Sequence, residues 1–352
     1  MFGPTIQLNS GKTVSKQSVF LWRLAQILVW LIGLLLMISL LFFPSVGLLL
    51  FWNVLIPVAP ALFVVALGVW RNVCPLALTN LLPRHFGYSR GIKMSPAQSG
   101  LFGLIAVFAL FILVPLRHPV FNHNGVATAL MIMVMVVIGM SLGFIYEWKS
   151  AWCSGLCPVH PVEKLYGGNV GLTVPNMNCH NCHNCVVPCP DSTPNMHPVI
   201  SRNTRYHLVS GVLLAGGLPG FIWGWFQVPD TNKSYSFLEL LGVYRLPLLG
   251  LLVSLVTFLL LRNVLMKKQE RLLVAWFAAL SVSCYYWYRI PALIGMGELG
   301  EDGVLYNLKG LMPEWGVMVI RVAVTSFFIY WLVYRPFNKQ SWAVRPRFQQ
   351  QR

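Results

Sequence analysis

The chain has 352 residues, of which 56% are hydrophobic and 10% carry a charge. A soluble globular domain has roughly 25% charged residues, so this composition excludes a soluble enzyme, a disordered regulator and a small secreted disulfide-bonded module, and it indicates a membrane protein. The 26 lysines and arginines exceed the 10 acidic residues by a formal +16, which here indicates loops held at the cytoplasmic face and not nucleic-acid binding.

Eight stretches are long and apolar enough to cross a bilayer, because a helix needs about 20 apolar residues to span about 30 Å of hydrocarbon. In chain order they are 19–43, 46–70, 100–116, 126–146, 208–226, 246–261, 272–288 and 315–334. The sequence therefore predicts an all-α polytopic membrane protein with about eight transmembrane helices.

The positive charges fall mainly on one side of these spans. Nineteen of the 26 lysines and arginines lie in the termini and in segments 71–99, 147–207 and 262–271, five lie on the opposite side, and Arg23 and Arg321 lie within spans. By the positive-inside rule, both termini and these three segments are cytoplasmic. The predicted location is a bacterial-type inner membrane.

The spans divide the chain into two membrane halves around a polar segment. Residues 1–146 are expected to form a four-helix half with the cytoplasmic loop 71–99, and residues 208–352 a second four-helix half with a cytoplasmic tail. Segment 147–207 is rich in Pro, Asn, Cys and His and shows neither helical nor strand periodicity. Because about 60 residues without regular structure are rare in a folded protein, something bound to this segment is expected to organise it.

Four cysteines and a proline form one motif within that segment. The run Cys179-His-Asn-Cys182-His-Asn-Cys185-Val-Val-Pro-Cys189-Pro190 has the C-x2-C-x2-C-x3-C-P spacing of bacterial ferredoxins, which bind [4Fe–4S] clusters. Two-residue gaps let three thiolates reach three irons of one cube from a tight loop. Cytoplasmic thiols stay reduced, so a metal is a more natural organiser than a disulfide. The sequence predicts an iron–sulfur cluster as the cofactor.

A shorter element predicts how the ligands are shared. Cys153-Ser-Gly-Leu-Cys157-Pro158 repeats the C-x3-C-P half of the run, and in two-cluster ferredoxins the cysteine before the proline ligates the partner cluster. The first predicted ligand set is then Cys157, Cys179, Cys182 and Cys185. The candidate second set, whose fourth ligand the sequence does not identify, is Cys74, Cys153 and Cys189.

Two other cofactors could account for these cysteines. A structural zinc site would use the same thiols. Residues 179–183 also match C-x-x-C-H, the attachment site of c-type haem. Haem c is attached outside the cytoplasm and would leave two cysteines of the run unexplained, so no haem is predicted. Cys284, about 12 residues into the seventh span, is expected to be a small apolar core residue.

Polar and aromatic residues gather at the opposite ends of the spans. His118 and His123, after the third span, are expected to be solvated. Arg321 is expected to have an acidic partner, because a cation inside a bilayer is costly. The aromatic residues at 285–288, together with Trp315, predict an aromatic belt at the interface in preference to a quinone pocket.

The sequence resembles the membrane-bound polyferredoxins, which include membrane iron–sulfur subunits of periplasmic nitrate reductases, nitrous-oxide reductase accessory proteins and oxidase-assembly proteins. The resemblance rests on residues 71–75, 152–158 and 179–190, and it covers roughly residues 46–230. The family typically has two C-x3-C-P elements and two full ferredoxin runs. Here Trp70 replaces the first cysteine of one C-x3-C-P element, and one run is absent. The resemblance implies a membrane-bound [4Fe–4S] protein.

These features predict a protein that moves single electrons between a cytoplasmic or quinol donor and a membrane-associated redox acceptor. The alternative is an assembly or accessory factor for a respiratory or other metal-containing oxidoreductase complex. No nucleophile, general base or phosphate loop stands out, so a stand-alone enzyme is not expected. The predicted partners are membrane lipid, a larger membrane complex and an acidic ferredoxin or flavodoxin. Such a carrier would approach the cations that frame the cluster segment, which are Lys149, Lys164, Arg202 and Arg205.

Overall fold

A computed structural model describes most of the chain. The described residues are 9–146, 151–169, 171–180, 204–229, 235–264, 269–297, 303–336 and 342–348. Within them the α-helices are α1 (Lys16–Phe42), α2 (Pro44–Leu48), α3 (Ile56–Val73), α4 (Pro75–His85), α5 (Pro96–Leu113), α6 (Gly125–Ile145), α7 (His160–Tyr166), α8 (Arg205–Phe226), α9 (Phe237–Gly242), α10 (Arg245–Val264), α11 (Glu270–Leu293) and α12 (Glu314–Ile329).

Short π-helical and 3₁₀ turns and three strands complete the secondary structure of the described residues. The π-helical turns are Leu49–Leu55, Trp152–Leu156 and Tyr330–Tyr334, and the 3₁₀ turns are Pro115–Arg117 and Met177–His180. The strands are β1 (Asn9–Val14), β2 (Val174–Pro175) and β3 (Ala343–Phe348).

Within the described residues, seven helical stretches are long and apolar enough to span a membrane. They are Lys16–Phe42, Pro44–His85, Pro96–Arg117, Gly125–Ile145, Arg205–Phe226, Phe237–Val264 and Trp315–Tyr334. Each overlaps one predicted span, and the predicted all-α polytopic class is confirmed. The remaining predicted span, 272–288, lies within α11, which has 24 residues but is less apolar than the others.

The small sheet shows that α11 crosses the bundle as well. The strand order is β1-β3-β2, and both pairings are parallel. Because β1 leads directly into α1 and β3 follows α12, the described chain starts and ends at one end of the bundle. This requires an even number of crossings, so α11 supplies the eighth. The ion pair of Arg262 with Glu270, at 2.8 Å, joins the end of α10 to the start of α11 at that same end.

The described part of segment 147–207 is not irregular, contrary to the sequence expectation. It contains the π-helical turn Trp152–Leu156, α7, β2 and the 3₁₀ turn Met177–His180. Leu165 and Tyr166 of α7 belong to the main hydrophobic core, and the Ser281 hydroxyl on α11 donates to the Tyr166 hydroxyl at 3.1 Å. A helix of seven residues has too few turns to show periodicity, so its packing against the bundle was not visible in the sequence.

The end of the bundle opposite the cysteine segment is more closely packed than expected. His118 is buried, with its ring centroid 4.9 Å from that of Trp225, so the prediction that it is solvated was wrong. Tyr285 and Tyr286 are also buried and contribute to the main core, whereas Trp315 is exposed as an aromatic belt requires. Only part of the predicted belt therefore faces the membrane interface.

The two arginines within spans make polar contacts. Arg23 donates to the Gln26 side-chain oxygen at 2.9 Å. Arg321 donates to the backbone carbonyl of Trp287 at 3.0 Å, and its guanidinium lies 5.2 Å from the centroid of that indole ring. The carbonyl and the aromatic face both contribute to stabilising this cation.

Candidate metal centre

Cys74 lies at the corner between α3 and α4. α3 ends at Val73, and Cys74 has an extended ψ of 121° before Pro75 opens α4. A residue before proline is disfavoured in the helical region, and proline is well accepted in the first turn of a helix. The Cys-Pro pair therefore ends one helix and starts the next, which fixes the position of the thiol.

Cys153 lies in the π-helical turn Trp152–Leu156, and Cys157 follows that turn as its C-terminal cap, directly before Pro158. The backbone N–H of Cys157 donates to the Trp152 carbonyl at 2.9 Å. Trp152 is buried and packs against α6 at Gly139, where an added Cβ would lie 3.3 Å from the indole ring. This packing holds the C-x3-C element against the transmembrane bundle.

Arg71, in the last turn of α3, binds the cysteine-bearing segment through a buried ion pair. Its guanidinium donates to one carboxylate oxygen of Glu163 at 2.5 Å, and Trp70 donates its indole N–H to the other at 2.9 Å. Arg71 also lies 3.1 Å from the His160 Nδ1 and 3.4 Å from the Ser154 hydroxyl. Because Ser154 lies inside the C-x3-C element, these contacts fasten that element and α7 to the end of α3.

The next residue, Asn72, binds the chain that leads to Cys179. Its side-chain oxygen accepts from the Met177 N–H at 3.1 Å, and its side-chain NH2 donates to the Pro175 carbonyl at 2.9 Å. The Gln26 side chain on α1 donates to the Asn72 carbonyl at 2.9 Å. Two consecutive residues of α3 thus hold two different cysteine-bearing segments beside the corner that carries Cys74.

The electrostatics of the buried side chains follow from this packing. Burial, with smaller contributions from Glu163 and the nearby Cys74, raises the pKa of the Cys157 thiol to about 12. Burial lowers the pKa of His160 to about 3, so the imidazole is neutral. Burial opposes ionisation of Glu163, but the charge of Arg71 and the hydrogen bonds from His160 and Arg71 together outweigh it and hold the pKa of that carboxyl below its usual range. A metal ion bound at Cys157 would have to displace the thiol proton.

Two of the four cysteines in the first predicted ligand set lie within the described residues, as do two of the three cysteines in the second set. Cys157 and Cys179 of the first set are described, as are Cys74 and Cys153 of the second, and none of these four forms a disulfide. Cys182, Cys185 and Cys189 lie outside the described residues, as do Lys149 and Arg202. No group of three or more His, Cys, Asp or Glu within the described ranges could hold a metal ion. Each predicted set has two members there.

The described donors fit an iron–sulfur cluster in their chemistry. Four of the predicted ligands are reduced cysteines on elements that meet at Arg71 and Asn72. Thiols are the ligands that such clusters use. The predicted structural residue Cys284 lies on α11 and packs against the main hydrophobic core.

Sequence reasoning did not find the residues that hold the cysteine segments together. These residues are Asn72, His160, Glu163 and Trp342. One signal was present: the chain has 10 acidic residues in all, and Glu163 lies only six residues beyond a predicted cysteine ligand. An acid that is scarce elsewhere in a membrane protein and lies near a ligand motif is a candidate for a buried ion pair.

No family model, no curated protein and no solved structure matches this chain.

Proposed function

We propose that this protein is a membrane-bound iron–sulfur electron-transfer protein, which passes single electrons between a donor and a membrane-associated redox acceptor. The observation that carries the proposal is the pair of consecutive residues Arg71 and Asn72. Their side chains bind the segments of three predicted ligands, next to the corner that carries a fourth. These four cysteines are Cys74, Cys153, Cys157 and Cys179.

In this proposal one [4Fe–4S] cluster takes the ligands Cys157, Cys179, Cys182 and Cys185. A second takes Cys74, Cys153 and Cys189, with a fourth ligand from elsewhere. A bound cluster supplies one-electron oxidation and reduction. The chain's own residues orient the ligand segments. The buried Arg71–Glu163 pair does so without adding net charge, and Trp70 donates a hydrogen bond to the same carboxylate. The buried Trp152 packs the C-x3-C element against α6.

The same proposal places the site at the cytoplasmic face of a bacterial-type inner membrane. The sheet brings β1 and β3, near the two termini, to the end of the bundle that holds the cysteine segment. The topology inferred from the sequence assigns 19 of the 26 lysines and arginines to that side of the membrane, and the positive-inside rule makes this side cytoplasmic. Electrons would come from an acidic ferredoxin or flavodoxin, or from quinol, and pass on within a larger membrane complex.

The proposal is tested by the metal content of cysteine variants of the full-length protein, purified without oxygen. The unaltered protein should contain iron and acid-labile sulfide and give a cluster EPR signal after reduction. Cys157→Ser should damage the first cluster as severely as Cys182→Ser, because three thiolates of the run need a fourth from outside it. Cys189→Ser should leave that cluster in place.

Cys284→Ala is the matched control, since this cysteine packs in the core at a distance from the others in sequence. It should keep the full iron content. Zinc in place of iron in the unaltered protein would refute the proposal. An EPR signal that survives Cys157→Ser but is lost in Cys189→Ser would refute the assignment of ligands.

A further inference from the structure

The C-terminal tail packs against the candidate metal centre. Trp342, directly before β3, is fully buried and donates its indole N–H to the Gly167 carbonyl, after α7, at 2.9 Å. The Trp342 carbonyl accepts from the Val174 N–H at 3.2 Å. The Arg71 guanidinium lies 5.4 Å from the centroid of its indole ring. One tail residue thus contacts α3, the end of α7 and the strand that precedes Cys179.

The neighbouring elements are shaped to admit this residue. A Cβ added to Gly68 on α3 would overlap the Trp342 carbonyl oxygen, and one added to Gly167 would lie 3.2 Å from its indole nitrogen. Any larger residue at Gly68 would displace the tail backbone. Both α3 and the cysteine segment therefore have glycine where the tail passes.

The sheet gives the tail a central position. β3 pairs with β2 through Val174 and Ala343, and with β1 through Asn9 and Arg345, while β1 and β2 do not pair with each other. Without β3, neither of the other strands has a partner in this sheet. Because β3 follows α12 in the chain, the sheet can form only after helices α1 to α12 have been made.

We infer that the C-terminal tail closes the cysteine site, with Trp342 as the positioning residue that holds the Cys157 and Cys179 segments on α3. The identity of the cofactor that the tail covers rests on the proposed function. The closing itself is a property of the protein segments, so it can be measured with or without bound iron.

The first test measures thiol accessibility in full-length protein from which iron has been removed by a chelator. Maleimide labelling of Cys157 and Cys179 should be faster by roughly tenfold or more in Trp342→Ala, because the loss of a large buried side chain favours local opening. Trp315→Ala, at a position that is 71% exposed, is the matched control and should label like the unaltered protein. Labelling of Cys284 should stay constant and so separates local opening from global unfolding.

Two further variants keep the test decisive if Trp342→Ala does not fold. Gly68→Ala retains the tryptophan but displaces the tail, and should also accelerate labelling. Gly103→Ala, where an added Cβ meets no other atom within 4 Å, should not. Trp342→Phe keeps an aromatic ring but loses the hydrogen bond to Gly167, and should label at an intermediate rate. Equal labelling of Cys157 and Cys179 in Gly68→Ala, Trp342→Phe and the unaltered protein would overturn the inference.

The second test uses the protein as purified and separates this inference from the proposed function. When an iron chelator is added, the visible absorbance of the cluster should be lost faster in Trp342→Ala than in Trp315→Ala. If the unaltered protein holds no iron but the labelling contrast persists, the tail closes the site and the proposed function is wrong. If iron is bound but both contrasts are absent, the proposed function stands and the closing role is wrong.

Discussion

Arg71 and Glu163 form the strongest polar link between the transmembrane helices and the cysteine segment. Each is 5% exposed, and both oxygens of the carboxylate are bonded, one to Arg71 and one to Trp70. A buried ion pair adds little over a well-packed apolar pair, but removal of one partner leaves an uncompensated charge. The link therefore matters more for the position of the cysteine segment than for the total stability of the protein.

Glu163→Gln should lower the free energy of unfolding by about 3–5 kcal/mol, because it removes the carboxylate charge that pairs with the buried Arg71 guanidinium. Denaturant unfolding of the full-length protein in detergent would measure this loss. Glu270→Gln is the matched control: its pair with Arg262 is about one-fifth exposed, and its loss should cost roughly 1 kcal/mol or less. The double variant Arg71→Met/Glu163→Leu should recover much of the loss.

The same variant has a defined pH dependence. Arg71 holds the pKa of Glu163 below its unfolded value of about 4.3, so the stabilisation is complete above that pH and is lost as pH falls through the folded pKa. The stability difference between Glu163→Gln and the unaltered protein should accordingly shrink in acid. A difference that stays constant down to the acid limit would contradict the role of the ionised carboxylate.

For single residues, the sequence shows local patterns such as the spacing of the cysteines, but it does not show how deeply each residue is buried. The spacing of the cysteines is a local pattern and can be read directly, whereas burial depends on contacts between distant segments. Arg71 was counted as a cytoplasmic cation and His118 as a solvated loop residue, yet both are buried. Charge and loop position indicate the end of the bundle at which a residue lies, but not its depth within it.

Helices α4 and α6 touch closely beside the corner that carries Cys74. The Asn80 side chain donates to the Gly139 carbonyl at 2.5 Å, and a Cβ on Gly143 would overlap the backbone oxygen of Asn80. Small residues let helices in membranes approach to backbone contact. The position of α4, and of the cysteine at its start, thus depends on glycine in α6.

Gly143→Ala should push α4 away from α6 and lower stability by about 1–3 kcal/mol, the usual cost of overpacking. We also expect lower iron retention, because Cys74 lies directly before the displaced helix. Thermal unfolding and iron content of the full-length protein would measure both effects. Gly103→Ala, which meets no neighbouring atom, should leave both unchanged. An unaltered melting temperature in Gly143→Ala would show that the contact can relax without cost.

Long elements were predicted more reliably than short ones. Seven of the eight predicted spans coincide with apolar helical stretches, because about 20 apolar residues have few alternatives to a membrane helix. α11 is less apolar because it carries Ser281, Ser283 and Arg289 on buried positions. α7 and β2 gave no periodic signal, since their stability comes from packing against the bundle and the tail.

At the scale of the whole molecule, the pairing of β1 with β3 requires an even number of crossings in the described chain, and we expect the charge distribution to determine which end is cytoplasmic. Gln269, between α10 and α11, and Leu311, between α11 and α12, are both exposed and should lie on opposite sides of the membrane. In intact cells stripped of their outer layers, Leu311→Cys should react with an impermeant maleimide, whereas Gln269→Cys should react only after permeabilisation. The reverse pattern would invert the topology, and reaction of both in intact cells would exclude α11 as a crossing.

The cations at the proposed cytoplasmic end differ in how far they are exposed to a soluble partner. Lys164, expected to frame the cluster segment, is partly buried, and burial lowers its pKa to about 8. Arg205, at the start of α8, is exposed. Much of the remaining positive charge serves topology and anionic lipid, at about 1 kcal/mol per cation near the surface. Arg205 is therefore the described cation of this group that a soluble carrier would meet.

We expect reduction of the cluster by an acidic ferredoxin or flavodoxin to slow as ionic strength rises. Attraction between oppositely charged surfaces speeds association, and the Debye length falls from about 30 Å at 0.01 M salt to about 10 Å at 0.1 M. Stopped-flow absorbance of the purified protein would measure the rate over this range. Arg205→Gln should flatten the salt dependence, whereas Lys309→Gln, exposed at the opposite end of the bundle, should not. A rate independent of salt in the unaltered protein would indicate an uncharged donor within the bilayer, such as quinol.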